Sequence, residues 1–504
     1  MGTEAVTEVE RKYDVGDDVI VPALHELPGV ASVAQPVEHR LDATYYDTSD
    51  LALARARITL RRRTGGDDEG WHLKLPVQGD ARQELRVPLG DRPPDAVPEV
   101  LVTRVRAYVL GRPLVPVATI SNRRVVHRLL DHGGVELAEL CDDHVTGTRL
   151  VGGGHRGELV WREWEVELVT AGPELLDAAE EGLLAAGARP ASGPSKLARV
   201  LDVVAPAAAA PGPDMTAGEL LVEYVAAQLD RIRDHDGPVR DDAEDAVHQM
   251  RVGARRLRSV LATYRPVLDA DAAEPLRAEL TWLGGMLAAA RDTEVMRARL
   301  LDLVAQEPAE LVLGPVARRI GTAMDQRYAT ARKAVLEALD SDRYLALLGA
   351  LEAFASQPPS TSAASRRAGE VLPELLERDW KRLRRRAADA AAADAEGHDH
   401  ALHEMRKAAK RMRYASEMAA PALGDPWSTV AERCEAVQDL LGEHQDTVVL
   451  RAALRELGVQ AHLSGENGFT FGRLHALEQA RAGELSRELT EAVGELPKKA
   501  AGWG

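Results

Sequence analysis

Residues 7–15 read TEVERKYDV, and residues 159–169 read LVWREWEVELV. In the first stretch Glu8, Glu10 and Lys12 stand at every second position. In the second, Glu163, Glu165 and Glu167 do the same, with Trp164 and Val166 between them. Side chains alternate between the two faces of a strand, so each trio projects from one face. Working outward, the same period-two rhythm recurs in ARITLRRR (56–63), WHLKLP (71–76), QELRVPL (83–89), PVATISNRRVVHRLL (116–130) and GVELAELCDDHV (134–145). Gly, Asp and Pro clusters separate these segments, as turns separate strands. Arg57, Arg61 and Arg63 share a parity, as do His72 with Lys74, Arg82 with Glu84 and Arg86, and Glu139 with Asp143. Residues 16–26 and 173–187 read as helices.

Near residue 204 the chain changes character. APAAAAPGPD (205–214) is an Ala/Pro linker without a core-forming pattern. Beyond it, long runs rich in Ala, Leu, Arg and Glu carry apolar residues at three-four spacing. Breaks are expected near Asp236-Gly237, Ser356–Ser365, Ala390–His400, Gly424-Asp425 and Ser464–Asn467. The predicted fold class is multidomain, β plus α. An all-antiparallel β domain spans 1–203, a linker 204–214, and a helical bundle domain 215–504.

The 504 residues are too many for one ordinary core. Hydrophobic residues make up 45% and aromatics 4%, enough aliphatic content to exclude wholesale disorder. Lys and Arg number 63 against 80 Asp and Glu, a net charge of −17, so the overall field repels nucleic acid. A polyanion site must then be a local concentration of Arg and Lys. Cys141 and Cys434 form no CxxC, which argues against a disulfide scaffold or a thiolate zinc site. No stretch approaches the roughly 18 apolar residues of a membrane span, and the start lacks the basic and apolar runs of a secretory signal. The expected compartment is the cytoplasm.

Any one amphipathic strand is explained by a solvated face. Here charged residues alternate with Val, Leu, Ile and Trp across at least five strands, and a closed sheet must turn one face inward. Buried unpaired charges cost several kcal/mol each, so a charged interior must be wet. Its carboxylates suit Mg²⁺ or Mn²⁺, and its Arg and Lys suit phosphoryl oxygens.

EVERK (8–12), together with YYDTSDLALARARITLRRR, WHLKLP, QELRVPL, the acids near Asp143, WREWEVELV and PSKLARVL, resembles the CYTH family of triphosphate tunnel enzymes across roughly residues 3–203. The resemblance implies an eight-stranded antiparallel barrel whose tunnel holds a triphosphate. Family members cleave inorganic triphosphate or thiamine triphosphate, and some cyclise ATP. By the same resemblance, Glu8 and Glu10 are metal ligands, opposed by Asp143 and by two of Glu163, Glu165 and Glu167. Arg61, Arg63, Lys74, Arg86, Arg124 and Lys196 are phosphate ligands, and Glu84 belongs to the same charged row. Arg123 competes with Arg124 for the inward position. Lys12 either balances charge or assists the attacking water. The implied cofactor is Mg²⁺ or Mn²⁺.

The helical half repeats itself. His248-Gln-Met-Arg251, Arg255-Arg256 and Arg258 recur as His403-Glu-Met-Arg406, Lys410-Arg411 and Arg413, offset by 155 positions (248 to 403). Arg291-Asp292-Thr293 recurs as Gln445-Asp446-Thr447 at an offset of 154 (292 to 446). A pair of pseudo-symmetric helical bundles is expected. At about 100° per residue, Arg251, Arg255 and Arg258 fall at about 300°, 340° and 280° from His248, while Arg256 sits at about 80°. His403, Arg406, Lys410 and Arg413 repeat the stripe. A third run, Arg378 to Arg386, is also strongly basic. A solvated helix face would interleave acids at i,i+4. Like charges on one arc point instead to a polyanion groove. A zinc site from His248, His403 and His444 has no HxxxH pair to support it.

HQMRVGARRLRSVL, its copy HEMRKAAKRMRYASEM and LGEHQDT resemble the CHAD domain over about residues 215–495. That resemblance implies inorganic polyphosphate binding in a basic groove, and CYTH followed by CHAD is a bacterial pairing. The expected function is metal-dependent hydrolysis of inorganic triphosphate beside a polyphosphate-binding module, which would associate the chain with polyphosphate granules. Two rivals stand: a non-catalytic polyphosphate-binding or targeting protein, and an adenylyl cyclase of the CYTH type. The intact Glu8, Glu10 and Lys12 set favours the enzyme.

Overall fold

The computed structural model describes residues 4–494 except 77–80, 91–92, 94, 152–156, 204–211, 213, 359 and 395–396, together with 496 and 499; the side chains of 4–8, 81 and 82 lie outside the description. The chain divides into two compact units, Met1–Ala207 and Ala208–Gly504.

The first unit is an antiparallel sheet. Its strands are β1 (Glu4–Val15), β2 (Ser32–Val33), β3 (Val37–Asp47), β4 (Thr59–Thr64), β5 (Gly70–Pro76), β6 (Ala81–Val87), β7 (Val115–Leu130), β8 (Glu136–Arg149), β9 (Glu158–Leu168) and β10 (Arg189–Pro190). Pairing runs β6-β5-β4-β3-β7-β8-β9, and β1 meets both ends of this series. Residues 4–9 of β1 pair with β6, and residues 10–15 pair with β9. The eight long strands therefore form a barrel-like sheet. Its seam is staggered along β1 instead of being closed over the full height of the strand.

Alternation separates the two faces. On β9, Trp164 and Val166 join Tyr13, Leu140 and the apolar side of α3 (Glu174–Ala185), namely Leu175, Leu176, Ala179 and Leu183. The dry core thus lies on the face opposite the carboxylates. Fully burying each such Leu stabilises the fold by ~1.5–3 kcal/mol. A second apolar cluster joins Tyr45, Ile120, Val145 and Trp161 to Leu197, Val200 and Leu201 of a short helix, Lys196–Leu201. Ser195 caps that helix, its Oγ accepting from the N–H of Ala198 at 3.1 Å. The cap fixes Lys196 at the first helical position.

Several local expectations change. Residues 16–26 contain one 3₁₀ turn, Leu24–Glu26, because Pro22 and the Asp/Gly start leave no continuous apolar stripe. Residues 173–187 do form a helix, α3. Arg57 is not on the Arg61/Arg63 face: it lies in the turn before β4 with φ 58°. The strand β3 and the helix Glu99–Val109 were not expected.

The second unit is helical. Counting the four helices of the first unit, Ala52–Arg55, Glu99–Val109, Glu174–Ala185 and Lys196–Leu201, as α1–α4, its helices are α5 (Ala217–Asp234), α6 (Asp236–Arg240), α7 (Ala246–Thr263), α8 (Ala270–Gln306), α9 (Val316–Leu339), α10 (Asp342–Ser356), α11 (Ala368–Ala392), α12 (His398–Leu423), α13 (Trp427–Leu463) and α14 (Phe469–Gly494). Thr216 and Glu219 open α5 with a reciprocal capping box. The repeat is visible in the packing. The order α7-α8-α9 recurs as α12-α13-α14, with α8 and α13 both 37 residues long. In both copies each helix packs on the next, α5 packs on α7 as α11 packs on α12, and α7 packs on α12 itself. The far ends share one core, where Leu300, Ile320 and Met324 meet Leu450, Leu454 and Phe471. The helix breaks as expected near Asp236-Gly237: α5 ends at Asp234, His235 is a turn, and α6 begins at Asp236.

Candidate functional site

Strand register assembles a charge network inside the barrel. Arg124 on β7 stands opposite Asp143 on β8, Asp143 opposite Glu163 on β9, and Glu165 opposite Lys12 on β1. Arg124 grips Asp143 through Nε–H and Nη2–H, both at 2.7 Å, and its Nη2 also donates to Glu165. Lys196 reaches into the same cluster, its Nζ lying 2.8 Å from Asp143, 2.6 Å from Glu163 and 2.7 Å from Glu165. Lys12 donates to Glu165 and lies 3.0 Å from Glu10.

Burial alone would neutralise these groups; the opposite charges prevent it. Burial pushes the Glu165 carboxyl up, but Lys12, Lys196 and Arg124 outweigh it and hold the group well below its ordinary value. Asp143 is likewise held low by Arg124 and Lys196, and Glu10 by Lys12 and Lys74, each against burial. For Lys12 and Lys196, burial acts downward but the carboxylates win, and both ammonium groups sit above the usual lysine value.

One group of acids is close enough to share a cation. Among the described residues, ligand oxygens of Asp143, Glu163 and Glu165 all lie within 4.8 Å of one another. Trp161 Nε1–H donates to Glu163 Oε2 at 2.5 Å. Oε1 of Glu163 is buried and makes no well-directed hydrogen bond, although the Lys196 ammonium is beside it.

Across the interior lies a basic pole. Arg61, Arg63, Lys74 and Arg86 line the same cavity as Glu10, Lys12, Arg124, Glu165 and Lys196, a space of about 420 Å³. Buried Glu84 organises the pole, accepting from Arg86 Nε and lying 3.8 Å from both Arg61 and Lys74. His72 Nδ1 is 2.9 Å from Glu84, and its Nε2 is 2.9 Å from the Asp68 carbonyl. Burial brings His72 down to about 4 despite Glu84, so the ring is neutral at pH 7. Arg63 contacts Asp68, yet burial, Arg61 and Arg124 press it down to about 9. Crowded cations of this kind gain from an anion placed between them.

The structure places the residues between which the sequence left a choice. Arg124 faces inward, whereas Arg123 is exposed and pairs with Glu38 at 3.3 Å. Of the three β9 acids, Glu163 and Glu165 join Asp143; Glu167 lines the cavity, opposite Glu10 and Glu139 in the register. Glu8 stands opposite Arg82, but its side chain lies outside the described residues. Sequence reasoning missed Tyr45, Asn122 and Glu136 in the cavity wall. Glu139 also lines it, pushed up to about 7 by burial and by Glu136.

In the helical unit the two stripes converge. Lys410 is brought down to about 6 by burial and by Arg406, Arg255, Arg251 and Arg258, so cations of α7 and α12 share one space. Arg255 also lies over the Tyr414 ring at 5.5 Å. The second repeated motif supplies counter-charge. Asp292 pairs with Arg251 at 2.7 Å, and Asp446 neighbours Arg406 at the equivalent place in the other copy. His248 is half-buried and held below its ordinary value by burial and Arg291, while His403 is exposed. His444 is buried 6.3 Å from His398, centroid to centroid. Arg413 departs from the expected stripe: Glu417 at 2.7 Å and Glu435 at 2.6 Å hold it. Its position at the edge of the arc brings it over α13, and Glu417 is the i,i+4 acid that the rest of the stripe lacks. Arg256 points away as expected, pairing with the same Glu417 at 2.8 Å.

Comparison with known proteins agrees with this division. The CYTH domain model matches residues 7–199 and the CHAD domain model residues 223–455. Two Mycobacterium tuberculosis proteins, each described only as uncharacterized, are 39% identical over 506 residues, covering 97% of this chain and 96% of their own length. Among solved structures, PptA from Streptomyces chartreusis is 21% identical with a TM-score of 0.47, covering 56% of this chain and 100% of its own. The CHAD domain from the plant Ricinus communis is 28% identical with a TM-score of 0.46, covering 58% and 96%. With acids and bases facing each other in the barrel and a basic groove in the helices, the chain belongs to the family in which a CYTH domain is joined to a CHAD domain.

Proposed function

We propose that the barrel hydrolyses inorganic triphosphate, or a related triphosphate, with Mg²⁺ or Mn²⁺, and that the helical unit binds polyphosphate between α7 and α12. CYTH domains include triphosphatases and cyclases and work with a metal, which supports an enzyme of this class. One observation carries the hydrolase reading: a carboxylate pole and a cationic pole face each other across a single cavity of about 420 Å³.

The acid pole fits a hard divalent cation. Buried oxygens of Asp143, Glu163 and Glu165 lie within 4.8 Å of one another, a set of hard donors that now has the Lys196 ammonium beside it. These three, with Glu10 and Glu8, would hold the metal. When bound, it would neutralise phosphoryl oxygens and lower the pKa of water. The remaining work falls to the chain. Arg61, Arg63, Lys74, Arg86 and Arg124 bind and orient the phosphoryl groups, since phosphoryl transfer depends on positioning and charge neutralisation. Lys12, held as an ammonium between Glu10 and Glu165, balances charge in the site. Lys196 does the same from the capped helix start.

The test is phosphate release by the full chain from triphosphate, thiamine triphosphate, ATP and polyphosphate, each with Mg²⁺ and Mn²⁺. Triphosphate should give the highest kcat/KM. Cyclic AMP as the main product from ATP, or no turnover of any substrate, overturns the reading.

A further inference from the structure

The helical unit holds a second basic cavity, of about 530 Å³, lined by seven cations and one acid, Asp379. Its floor is a built structure. Asp379 is buried, accepts from Thr263 Oγ1 at 2.6 Å and binds Arg411 Nε at 2.8 Å. Arg411 and Arg378 in turn donate to the last carbonyls of α7, those of Ala262 at 2.8 Å and Thr263 at 2.9 Å. That arrangement uses the single acid entirely on the floor. Arg265, Lys381, Arg382 and Arg385 make no ion pair among the described residues, and they project from the rim. A merely solvated face of α11 would carry acids at i,i+4 to each of these cations; here Arg382 has Arg378 and Arg386 at that spacing, while Lys381 has Glu377 and Arg385, and Arg385 has Lys381 and Asp389, the last of which pairs with Arg386 at 3.3 Å.

The cavity breaks the internal symmetry. At the repeat offset of 155, Asp379–Arg411 corresponds to Tyr224–Arg256, which are also neighbours. Arg378, Lys381, Arg382 and Arg385 correspond to Glu223, Ala226, Ala227 and Asp230. The first copy therefore lacks these four cations. Arg258 has Arg277, a pocket-lining residue, among the cations acting on it, whereas its counterpart Arg413 is held by Glu417 and Glu435.

We propose that this pocket is a second phosphate-binding subsite, which takes one end of a linear polyphosphate leaving the groove past Arg258 and Arg277. It rests on the reading of the groove as a polyphosphate site and adds polarity to it. A twofold groove alone lets a chain extend equally from either end; one extra cationic pocket favours extension on its own side and chains long enough to reach it.

The experiment uses the full chain and two variants. One carries Lys381→Gln, Arg382→Gln and Arg385→Gln, all exposed positions, with circular dichroism and a thermal melt to establish folding. The other carries Arg251→Gln and Arg255→Gln in the groove. Binding of polyphosphates of graded length is read by fluorescence anisotropy across a salt series. The pocket variant should weaken long-chain binding about tenfold, with a loss that grows with chain length. Its salt slope should fall by about two, since each lost phosphate contact removes roughly 0.7–0.9. A pocket variant equal to wild type at every length, while the groove variant is weakened, overturns the subsite and leaves the groove standing. A wild-type chain that binds no polyphosphate overturns both. Displacement by duplex DNA of equal charge more readily than by polyphosphate assigns the pocket to nucleic acid and also overturns the proposal.

Discussion

Lys410 gives the groove a proton count. Burial and four neighbouring arginines bring its ammonium down to about 6. At pH 7.5 such a group is roughly 3% protonated, whereas an ordinary lysine near ~10.4 is fully so. A polyanion laid along the stripe offsets the arginines and favours the charged lysine. Binding should therefore draw about one proton from solution at pH 7.5, about half a proton at pH 6 and roughly a tenth at pH 5. Calorimetry in two buffers of different ionisation enthalpy measures this number directly. Lys410→Arg is the reference, because arginine stays charged throughout. His248 and the ends of the polyphosphate titrate in both proteins, so the difference isolates Lys410. Equal proton uptake by wild type and Lys410→Arg would refute the reasoning. The same depression has a sign in folding. The unfolded chain takes up a proton below its lysine value while the native chain does not, so this group's contribution falls as pH falls from about 10 to about 6.

Other expectations follow from single contacts. Glu165→Gln removes the charge shared by Lys12, Lys196 and Arg124 and should lower triphosphate turnover on the order of 10²–10³-fold; phosphate release within twofold of wild type would remove Glu165 from the site. Arg124→Gln should cut kcat/KM at least tenfold, while Arg123→Gln, an exposed position paired with Glu38, should leave it unchanged, and equal effects would contradict the strand register. Asp379→Ala should destabilise the helical unit by ~3 kcal/mol in urea unfolding, because it strands the Arg411 charge and Thr263, and a loss below ~1 kcal/mol would make the pair dispensable. Asp292→Asn should tighten polyphosphate binding about two- to fivefold by calorimetry, since it frees Arg251 from a competing, exposed carboxylate; weaker binding would make Asp292 a positioning residue instead.

The barrel was legible because charge at period two leaves few ways to fold. WREWEVEL shows one face of carboxylates and one of Trp and Val, and the structure puts the Val/Trp face against α3. β3 was less legible because VEHRLDATYYD mixes parities, with Tyr45 and Tyr46 both buried across a register shift. Which β9 acids converge depends on cross-strand neighbours: Glu163 faces Asp143, while Glu167 faces Glu139 and Glu10. Spacing along one strand cannot supply that. In the helices the angular arithmetic placed Arg256 correctly, but Arg413 shares its stripe's parity and still meets Glu435 from α13. A contact between helices distant in sequence has no local signature.

The two units answer one electrostatic problem in different ways. Like charges held within a few ångströms at low dielectric repel by several kcal/mol unless an opposite charge intervenes. In the barrel the counter-charge comes partly from the neighbouring strand of the ladder, Arg124 opposite Asp143 and Lys12 opposite Glu165, and partly from Lys196, which enters from a capped helix beside the adjacent acids Asp143 and Glu163. In the helices no such ladder exists, and the counter-charge comes from the next helix: Asp292 on α8 for Arg251, Asp446 on α13 for Arg406. The second repeated motif is thus the electrostatic partner of the first, which explains why the two recur together at nearly the same offset. The number of acids on each cation then sorts its role. Arg413, between two carboxylates, belongs to the scaffold. Arg251, with one exposed aspartate, can exchange it for phosphate. Lys410, with four arginines acting on it and no ion pair among the described residues, has most to gain from a polyanion.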